Sequence, residues 1–121
     1  MPAQKPVLAV LEDLFFTVKI NDAAKRAGLA PRFLKSEVDV LQQAKEGASL
    51  IVVDLTFGGV DPIALVRKLK ADEATRDIDV IGYLPHVDGE GKQAAQEAGY
   101  DMVLAKSAFS SNLPQLMKRH T

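Results

Sequence analysis

Three acids and one lysine carry the chemistry open to this chain. Glu12 and Asp13 follow the apolar run Val7-Leu8-Ala9-Val10-Leu11, Asp54 sits near the end of Ser49-Leu50-Ile51-Val52-Val53-Asp54-Leu55, and Lys106 follows Met102-Val103-Leu104-Ala105. Asp54 is the most informative of them, because every neighbour after Ser49 is apolar. Burial there disfavours its charge by several kcal/mol unless it has a partner, so a cation or a metal is expected close by. Three carboxylates around one space suit a hard, oxygen-seeking ion such as Mg2+. A lysine beside them can balance charge or hold a phosphoryl oxygen.

These residues must be brought together by the elements around them. The run ending at Asp54 is short, continuous and β-branched, bounded by Gly47 and by Gly58-Gly59, which predicts a strand buried on both faces of a parallel sheet. Phe16, Ile20, Ala23, Ala24 and Ala27 keep helical spacing before Gly28, giving a first helix over about 15–27. Arg32-Phe33-Leu34-Lys35 reads as a short outer strand. Val38, Leu41 and Ala44 trace a second helix ending at Gly47. Asp61-Pro62 opens a third, with Pro62 in its first position and Ile63, Leu65, Val66 and Leu69 inside. Val80-Ile81-Gly82-Tyr83-Leu84 is the fourth strand, and Ala94, Ala95 and Ala98 mark a fourth helix stopped by Gly99. Leu113-Pro114 begins a last helix, capped by Ser111 or Asn112. Five alternations of strand and helix call for right-handed crossovers and a three-layer α/β sandwich. Ligands of such open sheets bind beyond the carboxyl ends of the strands, where strand order reverses, and Glu12, Asp13, Asp54 and Lys106 are expected to converge there.

Composition narrows the function classes. The 121 residues are 47% hydrophobic with a formal net charge of -1, the balance of a single globular domain, which is the expectation for residues 1–121. The charge gives no footprint for nucleic acid. With no cysteine, thiolate catalysis and sulfur metal sites are excluded. No segment has the form of a signal peptide or reaches the roughly 18 apolar residues of a membrane span, so the reading is cytoplasmic, without membrane contact. The chain continues for about one helix after Lys106, and no output domain is expected.

The alternation of elements, Glu12-Asp13, Asp54, the segment Lys70-Ala71-Asp72-Glu73-Ala74-Thr75-Arg76-Asp77-Ile78 before strand 4, and Ala98-Gly99-Tyr100-Asp101 leading to Lys106 resemble a response-regulator receiver domain over essentially the whole chain. The resemblance implies a flavodoxin-like αβα sandwich with a five-stranded parallel sheet in the order 2-1-3-4-5. It implies that Asp54 accepts a phosphoryl group from a histidine kinase or phosphotransfer protein. Mg2+ would be held by Glu12, Asp13, Asp54 and the backbone carbonyl of Thr56, and Lys106 would contact the phosphoryl oxygens. Output would pass to a downstream protein partner, and receivers commonly pair as homodimers through helix 4, strand 5 and helix 5. Such a domain is a phosphoacceptor and not an enzyme.

Three positions depart from the pattern. Receivers usually end strand 4 with Thr or Ser, where this chain has Leu84. They usually have an aromatic three residues before the lysine, where it has Val103, and a proline after the lysine, where it has Ser107. A hydroxyl bonded to a charged phosphoryl oxygen contributes about 1.5–3 kcal/mol, against about 5.5 kcal/mol to drive a switch from 1:99 to 99:1. The alternative function is therefore a pseudo-receiver, a phosphorylation-independent interaction module.

Other readings of single residues are plainer. Glu12-Asp13 can simply open a helix, where acids complement the dipole. Lys106 alone reads as a surface lysine, His86 as a solvated loop residue near the pocket, and His120 as tail. Phe15 and Val18 point away from the face set by Phe16 and Ile20, forming either a partner patch or packing under a loop. Phe109 in the loop before the last helix has the same two readings. Gly91-Lys92-Gln93 lacks the hydroxyl and strand of a phosphate-cradling loop. Glu12-Asp13-Leu14 replaces the glycines of a dinucleotide site and argues against a flavin. No Gly-x-Ser-x-Gly turn is present. A Mg2+-dependent phosphatase would require a second aspartate where Thr56 stands.

Overall fold

Each apolar run pairs in parallel with its neighbours because strands buried on both faces need helices above and below. The computed structural model describes residues 5–86 and 89–121. Its elements are β1 (Val7–Val10), α1 (Leu14–Arg26), β2 (Pro31–Leu34), α2 (Glu37–Glu46), β3 (Leu50–Asp54), α3 (Pro62–Ala71), β4 (Val80–Leu84), α4 (Gly89–Ala98), β5 (Met102–Ala105) and α5 (Lys106–Arg119). The sheet is ordered β2-β1-β3-β4-β5, all parallel. Order reverses between β1 and β3, which opens a crevice beyond the carboxyl ends of those strands.

Side-chain alternation divides the interior in two. Leu8, Val10, Ile51 and Val53 face α2, α3 and α4, where they meet Val40, Leu65, Val66, Leu69 and Ala95. Val7, Ala9, Leu50 and Val52 face α1 and α5, meeting Phe16, Ile20, Phe109, Leu113 and Met117. The result is the three-layer sandwich.

Local chemistry sets the helix starts. Asp61 caps α3 by accepting from the amides of Ile63 and Ala64, both at 3.1 Å, with Pro62 in the first turn. Ser36 caps α2 through the Asp39 amide at 3.2 Å. Gly99 ends α4 at φ +131°, a conformation open to glycine. At the amino-terminal end of the sheet, Lys70 Nζ donates to the Ile78 carbonyl at 2.9 Å and to Asp101 Oδ2 at 2.8 Å, and that oxygen also accepts from the Val80 amide at 2.8 Å.

The largest departure from the sequence reading is α5. It begins at Lys106 instead of Leu113, so Ser111 and Asn112 lie inside it and Pro114 is an interior residue. A proline there removes a backbone bond and costs about 3 kcal/mol. The apolar positions Phe109, Leu113, Leu116 and Met117 keep helical spacing through it, are all buried, and outweigh that loss. Phe109 is therefore a fully buried helical residue and not a loop residue. His120 is not free tail either: its Nε2 lies 2.9 Å from Asp79 Oδ2 and its Nδ1 2.7 Å from the Leu116 carbonyl. In α2 the buried positions are Val40 and Ala44, whereas Val38 faces solvent. β2 is shifted by one residue, to Pro31–Leu34.

Candidate functional site

Asp54 ends the central strand at the reversal point, with only 9% of its surface exposed. Its carboxylate is met by its own chain. Oδ1 accepts from the Thr56 amide at 2.9 Å and from the Thr56 hydroxyl at 2.7 Å. Among the described residues no ion pair joins Asp54 to a cationic side chain, and the two hydrogen bonds from Thr56, one of them from the backbone, are what Oδ1 accepts.

Asp13 caps α1, its Oδ1 accepting from the amides of Phe15 at 2.9 Å and Phe16 at 3.3 Å. Its other oxygen accepts from Lys106 Nζ at 2.9 Å, and both side chains are about one-third exposed. The Lys106 hydrogen bond, aided by the helix-start amides, holds the Asp13 carboxyl below the usual carboxylate range against a modest desolvation effect. Lys106 gains its position because β5 passes directly into α5, which places it in the first helical turn at the strand end. Its ammonium also lies 4.7 Å from the centre of the Phe16 ring.

Between these groups lies a residue that the sequence reading passed over. Tyr83 is paired in register with Asp54 on the adjacent strand and is 1% exposed. Its ring stacks on Phe109, with centroids 4.6 Å apart and planes 8° from parallel, and lies 5.3 Å from the Phe16 ring. The hydroxyl is buried with no hydrogen-bond partner among the described residues. Leaving such a group unsatisfied costs about 1–3 kcal/mol. Burial, followed by the charges of Asp54 and Asp13, pushes its ionisation above the ordinary phenol range, so it remains a proton donor. A tyrosine in an apolar strand gives little warning in the sequence that register pairs it with Asp54.

Of the sequence candidates, the structure joins Asp13 to Lys106 and Asp54 to Thr56. Glu12 is exposed and forms no ion pair among the described residues. His86 is exposed in the turn after β4. Leu84 and Val103 pack with the α2–α4 side of the interior. Phe15 and Val18 are 65% and 67% exposed and, with Leu14, form an apolar patch on α1, so Phe15 is not tucked under a loop. A groove of about 650 Å³ runs between α1 and α5 past Lys19, Arg26 and Leu113, and none of the candidates lines it.

The donor set suits Mg2+ in kind. Carboxylates at 12, 13 and 54 are hard oxygen ligands, and the Thr56 carbonyl receives no hydrogen bond among the described residues. Among the described residues no three acids gather around one point, and Asp13 meets Lys106.

No protein-family model matches the sequence, and no curated protein is significantly similar. Solved structures do match its fold. A response regulator from Hahella chejuensis superposes with a TM-score of 0.85 at 16% identity, over 97% of this chain and 95% of the other. The receiver domain of a sensor histidine kinase from Pseudomonas aeruginosa, with magnesium coordinated in its active site cleft, gives 0.80 at 18% identity over 97% of each chain. A response regulator from Thermotoga maritima gives 0.78 at 19% identity over 97% of each. The fold is that of response-regulator receiver domains, a flavodoxin-like sandwich with the strand order described above. No described helix is long and apolar enough to cross a membrane.

Proposed function

We propose that this domain is a cytoplasmic receiver that accepts a phosphoryl group on Asp54 from a histidine kinase or phosphotransfer protein and signals through protein contacts. The observation that carries the reading is the placement of Asp54 at the carboxyl end of β3, flanked by Asp13 after β1 and Lys106 after β5. An Asp54 oxygen forms the new bond to phosphorus while the bond to the donor's leaving atom breaks, the leaving atom keeping the electron pair. Lys106 exchanges Asp13 for a phosphoryl oxygen, carrying its charge to where negative charge accumulates. Glu12, Asp13, Asp54 and the Thr56 carbonyl are the residues that would hold Mg2+, although no three acids gather around one point among the described residues, and the ion would supply charge neutralisation at the phosphoryl oxygens. Magnesium in the cleft of the Pseudomonas receiver and phosphorylation of a cyanobacterial phytochrome response regulator of the same fold support this.

Incubation with acetyl phosphate and Mg2+, followed by intact mass, tests it. One added phosphoryl group, absent in Asp54→Ala, is the expected result; an unmodified protein under all conditions overturns it.

One set of contacts favours a second reading. Thr56 already satisfies Asp54, Lys106 is committed to Asp13, and Leu84 can donate nothing. A domain that keeps those bonds would act as a pseudo-receiver, binding a partner without phosphate through the exposed Leu14, Phe15 and Val18.

A further inference from the structure

We propose that Tyr83 is a positioning residue for the modified aspartate, donating its buried hydroxyl to an oxygen of the group carried by Asp54. This rests on the reading of Asp54 as the phosphoacceptor. The hydroxyl that Leu84 cannot supply from one face of the sheet would come from the neighbouring position on the other face.

Placement carries the argument. Asp54 and Tyr83 are register partners on adjacent parallel strands, so their side chains leave the sheet on the same side. That side is the one facing α1 and α5, to which Tyr83 belongs with Phe16 and Phe109. The ring is fixed by stacking on Phe109 at 4.6 Å and by Phe16 at 5.3 Å, which leaves little freedom beyond rotation of the O–H bond.

The second line is the unmet donor. Tyr83 is 99% buried, and its hydroxyl has no acceptor among the described residues although two carboxylates act on it electrostatically. Buried hydroxyls are almost always bonded, and exceptions ask for a cause. Asp54 turns Oδ1 towards Thr56 and offers the hydroxyl no bond. A phosphoryl group adds three strong acceptor oxygens at the end of that side chain. Phe16 carries Lys106 above its ring at 4.7 Å and has its centroid 5.3 Å from that of Tyr83, so one aromatic ring neighbours both the lysine and the tyrosine.

The test is Tyr83→Phe, assayed with beryllofluoride and Mg2+ in place of the phosphoryl group. Loss of one hydrogen bond to a charged acceptor should weaken beryllofluoride binding by about tenfold or more. The thermal midpoint of the ligand-free variant should stay the same or rise, because an unsatisfied donor is removed. A second readout uses Tyr100→Phe, which leaves Tyr83 as the only tyrosine in a chain without tryptophan. Its fluorescence should change when beryllofluoride binds. Equal affinity of Tyr83→Phe and the parent, with binding still abolished in Asp54→Ala, overturns the role of Tyr83 and leaves the phosphoacceptor reading standing. Failure of the parent itself to bind beryllofluoride or to be phosphorylated overturns both.

Discussion

Lys106 Nζ and Asp13 Oδ2 lie 2.9 Å apart, joining the end of β5 to the start of α1 across the mouth of the crevice. On the proposed function, the ammonium occupies a carboxylate that Mg2+ would use. Replacing Lys106 by alanine should therefore tighten Mg2+ binding to the unmodified protein by roughly fivefold, the equivalent of about 1 kcal/mol for a partly exposed pair. The same variant should be phosphorylated more slowly. Calorimetric titration with Mg2+ checks the first part, and unchanged or weaker binding would show that the two cations do not share Asp13.

The same pair sets an acid dependence. The Lys106 hydrogen bond keeps the folded Asp13 carboxyl below its unfolded value, so the stability it contributes is whole above about pH 4 and is lost as the pH falls through the folded value. Thermal midpoints measured from neutrality down to the acid limb should fall less steeply in Lys106→Met than in the parent. Parallel curves would remove the lysine as the cause.

Two tyrosines govern the alkaline side. Burial raises both, with Asp54 acting next on Tyr83 and Asp61 on Tyr100, whose hydroxyl donates to the Pro62 carbonyl at 2.9 Å. Their contribution is whole below the unfolded tyrosine value of about 10 and is lost as the pH climbs from there towards the folded values. Tyrosinate absorbance should rise together with unfolding, in one cooperative step. Ionisation of either ring in the still-folded protein, near pH 10, would contradict its burial.

Phe109 distinguishes the helix from the loop. As a buried member of α5 stacked on Tyr83, its replacement by alanine should cost about 3–5 kcal/mol, seen as a large drop in denaturant midpoint. A surface loop phenylalanine would change stability by no more than about 0.5 kcal/mol.

What could be read from the residues follows from how far each signal reaches. Continuous apolar runs such as Leu50–Val53 have one good solution, a strand buried on both faces, whereas the outer strand read at Arg32–Lys35 has no such run and was placed one residue late. The start of α3 was equally plain, because Asp61 and Pro62 act within one turn. Pro114 misled, since a proline marks a helix start by local rules and here those rules yielded to four buried side chains on either side of it. His120 was hidden for another reason: its partner Asp79 is distant in sequence, and only the folded sheet brings them together. At the site, the identities of Asp54, Asp13 and Lys106 were apparent as candidates. Their pairing was not, because a carboxylate chooses among a cation, a helix start and its own Thr56 by distances of tenths of an ångström.

The clasp of His120 on Asp79 has a practical side. Asp79 precedes β4, whereas Asp54 and Tyr83 lie at the far end of their strands, so the last turn of α5 is held at the pole of the sheet opposite the acidic crevice. A linker or fluorophore joined after Thr121 would leave from that pole. A sample immobilised by this end would present Asp54 outward with its mouth unobstructed, and partners captured on such a surface would meet the crevice first.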